Sequence, residues 1–199
     1  MASLEKSVDI VLKECMNVKA NESILIIVDK LKKQIGEIFK KKSDGLKLKT
    51  KLIEIPVGKI NGEEPPNDIA EEMFKYDVIL LLTTKSLSHT KARRDACKNG
   101  ARIASMPGIT EDIMSRLDVD YEEMEKRISK IKELLTKGSG IKIITKKGTN
   151  ISFSIIGRDG KTDTGIYTQK GDFGNLPAGE AAIAPLEGTT NGCFVVDAS

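Results

Sequence analysis

A single carboxylate, Glu180, follows Gly179 in a turn bounded by Pro177 and Pro185. A stiff backbone of that kind holds a carboxylate in place, and two cations ~3.5–4 Å apart need anionic ligands between them. Spacing alone favours the plainer alternative, a Glu facing solvent in a turn. A second group able to do chemistry is the stretch Thr83 to Thr90, with five hydroxyl residues, a Lys and the chain's one histidine, His89. It falls where a strand gives way to a helix, and backbone amides at a helix start attract anions. Lys85, Ser88, His89 and Thr90 are therefore the candidate substrate- or anion-binding residues, with ordinary capping by Ser88 or Thr90 as the competing role.

Other chemistries find little footing. Cys15, Cys97 and Cys193 lie far apart and form no C-x-x-C, so they read as reduced core thiols of a cytoplasmic protein. Neither G-x-G-x-x-G nor G-x-x-x-x-G-K-[ST] occurs, which leaves dinucleotide and P-loop readings without support. The 32 basic and 29 acidic residues leave a net charge of +3, too small for the field a duplex-binding protein presents, so no nucleic-acid partner is expected. Lys91, Arg93, Arg94 and Lys98 spread around a helix with Asp95 between them, the pattern of a solvated face. No apolar run approaches the ~20 residues of a membrane span, and the N-terminus lacks an apolar signal core; no membrane partner is expected.

The elements that must position these residues change character part-way along the chain. Leu4, Val8, Val11, Leu12, Cys15 and Met16 recur at helical spacing and predict a helix over residues 3–17. Residues 24–28, 49–55, 78–82 and 101–105 are predicted strands, alternating with helices around Ile35–Phe39, from Pro65-Pro66 through Phe74, and through Ala92 and Ala96. Asn67 or Asp68 is the expected cap of the Pro-led helix. This alternation implies an α/β fold, a doubly wound parallel sheet with helices on both faces, whose ligand sites lie beyond the carboxyl ends of the strands. A short helix over 110–116, capped by Thr110, precedes a long one from Asp120 to Lys137. The apolar stripe of the latter, from Tyr121 to Leu135, predicts a core-packing face.

Gly138-Ser139-Gly140 marks a boundary, giving an α/β domain over 1–138 and a β-rich (α+β) domain over 139–199. Residues 141–145 and 151–155 alternate with period two and predict a hairpin. Residues 157–179 hold six of the 17 glycines and predict irregular backbone, with further strands at 182–184 and 193–196. Four short strands leave unpaired edges, so the second domain reads as incomplete. A homodimer is the expected assembly.

Asn175-Leu176-Pro177-Ala178-Gly179-Glu180, with Pro185 five residues on, resembles a signature of the thermophilic-type metallo-aminopeptidases, the aminopeptidase T family. The resemblance extends upstream through Thr84–Arg94 and Gly100–Thr110. It implies a hydrolase that removes N-terminal residues from peptides, with divalent zinc, cobalt or manganese as cofactor and Glu180 as a metal ligand. Asp197 takes no role from it. The family's remaining ligands are a second Glu, an Asp and histidines, whereas this chain has His89 alone, so the chain by itself is expected to be inactive. Some relatives in the same wider family are mononuclear iron dioxygenases that cleave dihydroxypyridine rings, and Ser88-His89-Thr90 looks similar to their corresponding region. The other alternative is a non-catalytic α/β binding or assembly domain.

Overall fold

The computed structural model describes residues 4–196, so Ser3 and Asp197 lie outside the described residues. The chain forms two compact units. The first comprises residues up to Tyr121 together with Gly165–Ala178, and the second comprises Glu122–Thr164 together with the chain from Gly179 onward.

The first unit is a five-stranded parallel sheet with its helices. Its strands are β1 (Ser23–Asp29), β2 (Lys49–Ile55), β3 (Val78–Leu82), β4 (Arg102–Ser105) and β8 (Phe173–Asn175), in the order β2-β1-β3-β4-β8. Every residue of β1 and β3 is buried, as expected for central strands covered on both faces. One face carries Leu25, Ile27, Ile79, Leu81 and Ile103. It packs against Ile69 and Met73 of α3 (Asn67–Met73) and Ala92 and Ala96 of α4 (Lys91–Lys98). On the other face α2 (Lys33–Gly45) sits so close that a Cβ on Gly36 would stand 2.4 Å from Val28 Cγ1. The N-terminal helix α1 (Leu4–Ile10) continues as a π-helical turn, Val11–Cys15, and α5 is Glu111–Ser115.

Details differ from the sequence reading for local reasons. Pro66 occupies the N-cap of α3 without a side-chain bond; neither Asn67 nor Asp68 caps it, because both lie inside the helix. Thr110 does cap α5, its Oγ1 accepting from Ile113 N at 3.2 Å. Within the glycine-rich stretch expected to be irregular, Phe173–Asn175 joins the sheet as β8, pairing with Ile103–Ser105.

In the second unit, β5 (Gly140–Ile144) and β6 (Asn150–Ser154) form the expected hairpin. β10 (Asn191–Cys193) adds to it, earlier than the predicted 193–196. A two-stranded ribbon joins β7 (Lys161–Asp163) to β9 (Glu180–Ala182), again earlier than the predicted 182–184. The long helix α6 spans Tyr121–Lys137; Ile128 is buried, but Ile131 and Leu134 on the same stripe are exposed. The core-packing expectation therefore holds for only part of α6. Among the described residues no helix is long and apolar enough to cross a membrane.

Candidate functional site

The turn after β3 is built by its own hydroxyls. Thr83 Oγ1 donates to Lys85 O at 2.6 Å, and Thr84 Oγ1 donates to Asp29 Oδ1 at 3.1 Å. Asp29 is buried at the end of β1 and also accepts from Leu31 N, so one carboxylate ties two neighbouring strand ends together. Thr90 is spent on structure. As N-cap of α4 it accepts from Arg93 N at 3.2 Å and donates to Leu87 O at 2.8 Å. A Thr90→Ala substitution therefore lowers stability by about 1 kcal/mol, the ordinary cost of a lost cap, measurable by urea unfolding.

Ser88 is the centre of a convergent cluster. It is 3% exposed, and its Oγ lies 2.9 Å from both Ser105 Oγ and Asn175 Oδ1. A hydroxyl carries one proton, and a carbonyl oxygen only accepts. Ser88 therefore donates to Asn175 and accepts from Ser105. The chain from Ser105 through Ser88 fixes the orientation of the exposed Asn175 amide at the end of β8. Tyr167 Oη holds the same residue by its backbone, donating to Asn175 O at 2.6 Å. Sequence reasoning singled out Ser88 but not Ser105 or Asn175, though each stands at the carboxyl end of a strand, where ligand sites form.

His89 is exposed, and the turn that presents it is clamped from α4. Arg94 Nη1 donates to His89 O and Arg93 Nε to Ser88 O, each at 2.7 Å. The Arg93 guanidinium also lies 3.9 Å above the centre of the Phe173 ring. The solvated face expected of this basic helix is thus correct for Lys91 and Lys98, which pair with Asp95, and incorrect for Arg93. Cys15 is fully buried and its thiol is pushed up to about 12 by desolvation, leaving it inert at neutral pH.

Lys85 points to a different space from Ser88. With Ile55, Pro65, Thr83 and Leu87 it lines a cleft of about 360 Å³ at the carboxyl ends of β2 and β3. Glu180 belongs to the second unit, whereas Lys85, Ser88, His89 and Thr90 belong to the first. It is exposed at the start of β9, directly opposite Asp163 of β7. Gly179 enables that turn with φ +129°, its N–H donating to Asp163 O at 3.0 Å. Two carboxylates face each other there, but among the described residues no group of three His, Cys, Asp or Glu converges as a metal site.

These features can be set beside known proteins. No curated protein matches the sequence. The fold is similar to the structure of 2,5-dihydroxypyridine dioxygenase from Pseudomonas putida KT2440, with a TM-score of 0.77, 16% identity and coverage of 96% of this chain. It is less similar to wild-type AmpT from Thermus thermophilus, with a TM-score of 0.55, 13% identity and 95% of this chain covered. The chain spans 58% of the first and 63% of the second. The expectation of a hydrolytic aminopeptidase is corrected by the family profile, which is that of an oxygenase. A fold and its turn motifs are shared among proteins of different chemistry, so the resemblance does not fix the reaction type. That profile, described as NicX, 2,5-dihydroxypyridine 5,6-dioxygenase, matches residues 6–199, and the chain belongs to this family.

Proposed function

We propose that the chain serves oxidative cleavage of a dihydroxypyridine-type ring, the family match over residues 6–199 being the observation that carries this reading. His89, presented on a turn clamped by Arg93 and Arg94, binds an oxygen of the ring substrate. Ser88 acts through Asn175, whose amide it orients. Lys85 serves anion binding from the neighbouring cleft, and Thr90 shapes the turn rather than touching substrate. The proposed location is the cytoplasm and the proposed assembly a homodimer.

A divalent metal accords with the family, and iron takes the place of the zinc, cobalt or manganese expected for a peptidase. The described residues do not by themselves fit an iron centre, since Glu180 has only Asp163 opposite it and no third donor joins them. Glu180 is proposed as one ligand of a larger set. Binding of 2,5-dihydroxypyridine, followed by its absorbance change, tests the reading. His89→Ala weakens binding about fivefold to tenfold, the loss of one hydrogen bond. Unchanged affinity in that variant, or no binding to the unmodified chain, would overturn it.

A further inference from the structure

The sheet order β2-β1-β3 places a reversal of chain direction across β1: one crossover leads from β1 to β2, the next leads back to β3 on its far side. Open α/β sheets hold ligands in the crevice at such a reversal, beyond the carboxyl ends of the strands. Here Asp29 and Thr84 close the space above β1 itself by their hydrogen bond. Beside it lies an open cleft of about 360 Å³ between the β2–α3 loop and residues Thr83–Leu87.

Its walls are apolar and partly uncovered. Ile55, Pro65 and Leu87 form buried surface, while Ile60 on the rim is 67% exposed. Three charged side chains line it: Glu63, Glu64 and Lys85. Both glutamates are already engaged by peptide N–H groups. Glu63 accepts from Lys59 N, and Glu64 caps α4 by accepting from Lys91 N and Ala92 N. Lys85 differs, since among the described residues its ammonium has neither a hydrogen bond nor an ion pair. Lys85 is thus the one charged group lining the cleft that has no partner among the described residues and can receive a single carboxylate, while Glu63 and Glu64 keep their negative charge and disfavour any ligand with more than one.

We propose that this cleft binds a small monocarboxylate with a compact apolar body, its carboxylate on Lys85 and its body over Ile55, Leu87 and Ile60. The volume falls in the range of ordinary small-molecule sites and exceeds the ~150 Å³ that encloses a benzene ring. The inference deepens the anion-binding role proposed for Lys85, but the cleft is separate from Ser88 and His89 and its occupation needs no metal, so loss of carboxylate binding is distinguishable from loss of ring-substrate binding at His89.

Calorimetric titration of the metal-free chain with benzoate, its neutral counterpart benzamide and the dianion phthalate tests the assignment. Benzoate binds about tenfold or more tightly than benzamide, the discrimination a charge-assisted hydrogen bond supplies, and phthalate binds more weakly than benzoate. Lys85→Met abolishes the preference for benzoate and leaves benzamide affinity unchanged, whereas Ile60→Ser weakens benzoate and benzamide alike. Equal binding of benzoate and benzamide, no binding of either, or a Lys85→Met variant that still prefers benzoate would each overturn the proposal. So would a benzoate preference that survives while 2,5-dihydroxypyridine displaces it only through His89, because the carboxylate would then sit in the ring-substrate site.

Discussion

Replacing Arg102 with Met lowers the stability of the first unit by about 3 kcal/mol, the lower end for stranding one partner of a buried ion pair, because Glu22 is only partly buried. Arg102 is 6% exposed, and its guanidinium grips Glu22 with both arms, Nη1 to Oε1 at 2.7 Å and Nη2 to Oε2 at 2.8 Å. Nη2 also donates to Met16 O at 3.1 Å, tying the end of the N-terminal helical segment to the start of β4. With the guanidinium gone, Glu22 keeps only the Lys19 N–H, at 2.8 Å, and the Met16 carbonyl loses this donor. The double variant Arg102→Met, Glu22→Leu recovers much of the loss, because a well-packed apolar pair replaces a costly desolvated one. Urea unfolding of the two variants measures the difference; a double variant no more stable than the single one would show that the pair is not the source.

The same pair leaves a pH signature. The Arg102 guanidinium, through its hydrogen bonds, holds the Glu22 carboxyl below its ordinary 4.5. A carboxylate with a depressed folded-state pKa contributes stability fully above the unfolded value and loses it as pH falls through the folded one. Acidification below about 4.5 therefore weakens the unmodified chain more steeply than Arg102→Met, and the two stability curves converge at low pH. Parallel curves would refute the coupling.

Gly174→Ala destabilises by about 3 kcal/mol or more, at the upper end of overpacking effects. A Cβ at this position would stand 2.3 Å from Cε1, Cζ and Oη of Tyr167. The ring has nowhere to retreat: it is 4% exposed, Tyr167 N donates to Cys15 O at 2.7 Å and its hydroxyl holds Asn175. The strand must yield, and with it the Asn175 amide that Ser88 orients. On the role proposed for Asn175, binding of 2,5-dihydroxypyridine falls along with stability. In Gly174→Ala combined with Tyr167→Leu the two penalties are strongly non-additive, since the smaller side chain removes the clash. Strict additivity of the two substitutions would place the cause elsewhere.

The contrast between β3 and β8 explains what could be read from sequence. Val78–Leu82 is a continuous apolar run whose five residues are all buried, and its limits were legible to the residue. Phe173-Gly174-Asn175 has one apolar side chain; it becomes a strand because Tyr167 lies flat on Gly174 and Ile103 N donates to Asp172 O. Neither contact has a periodicity. The candidate site divides in the same way. Hydroxyl density pointed to Ser88, but its partners Ser105 and Asn175 come from two other strands, and only the sheet order brings them together. The apolar stripe of α6 was visible, yet a stripe states only what is able to be buried; Ile131 and Leu134 remain exposed. The turn around Glu180 is legible as well, but the peptidase reading rests on the resemblance of its motif to a family signature, and a shared motif at a turn does not fix the reaction type.

The late return of the chain to its first sheet has a consequence for synthesis on the ribosome. Ser105 of β4 is made about 70 residues before its neighbour Asn175 of β8. At roughly 5–20 residues per second, several seconds separate the two. Throughout that interval β4 is an open edge, with backbone donors and acceptors available to any other extended chain. The nascent sheet is thus most vulnerable to mispairing while the intervening hairpin is being translated, and slow codons placed between residues 105 and 173 would raise aggregation of the product.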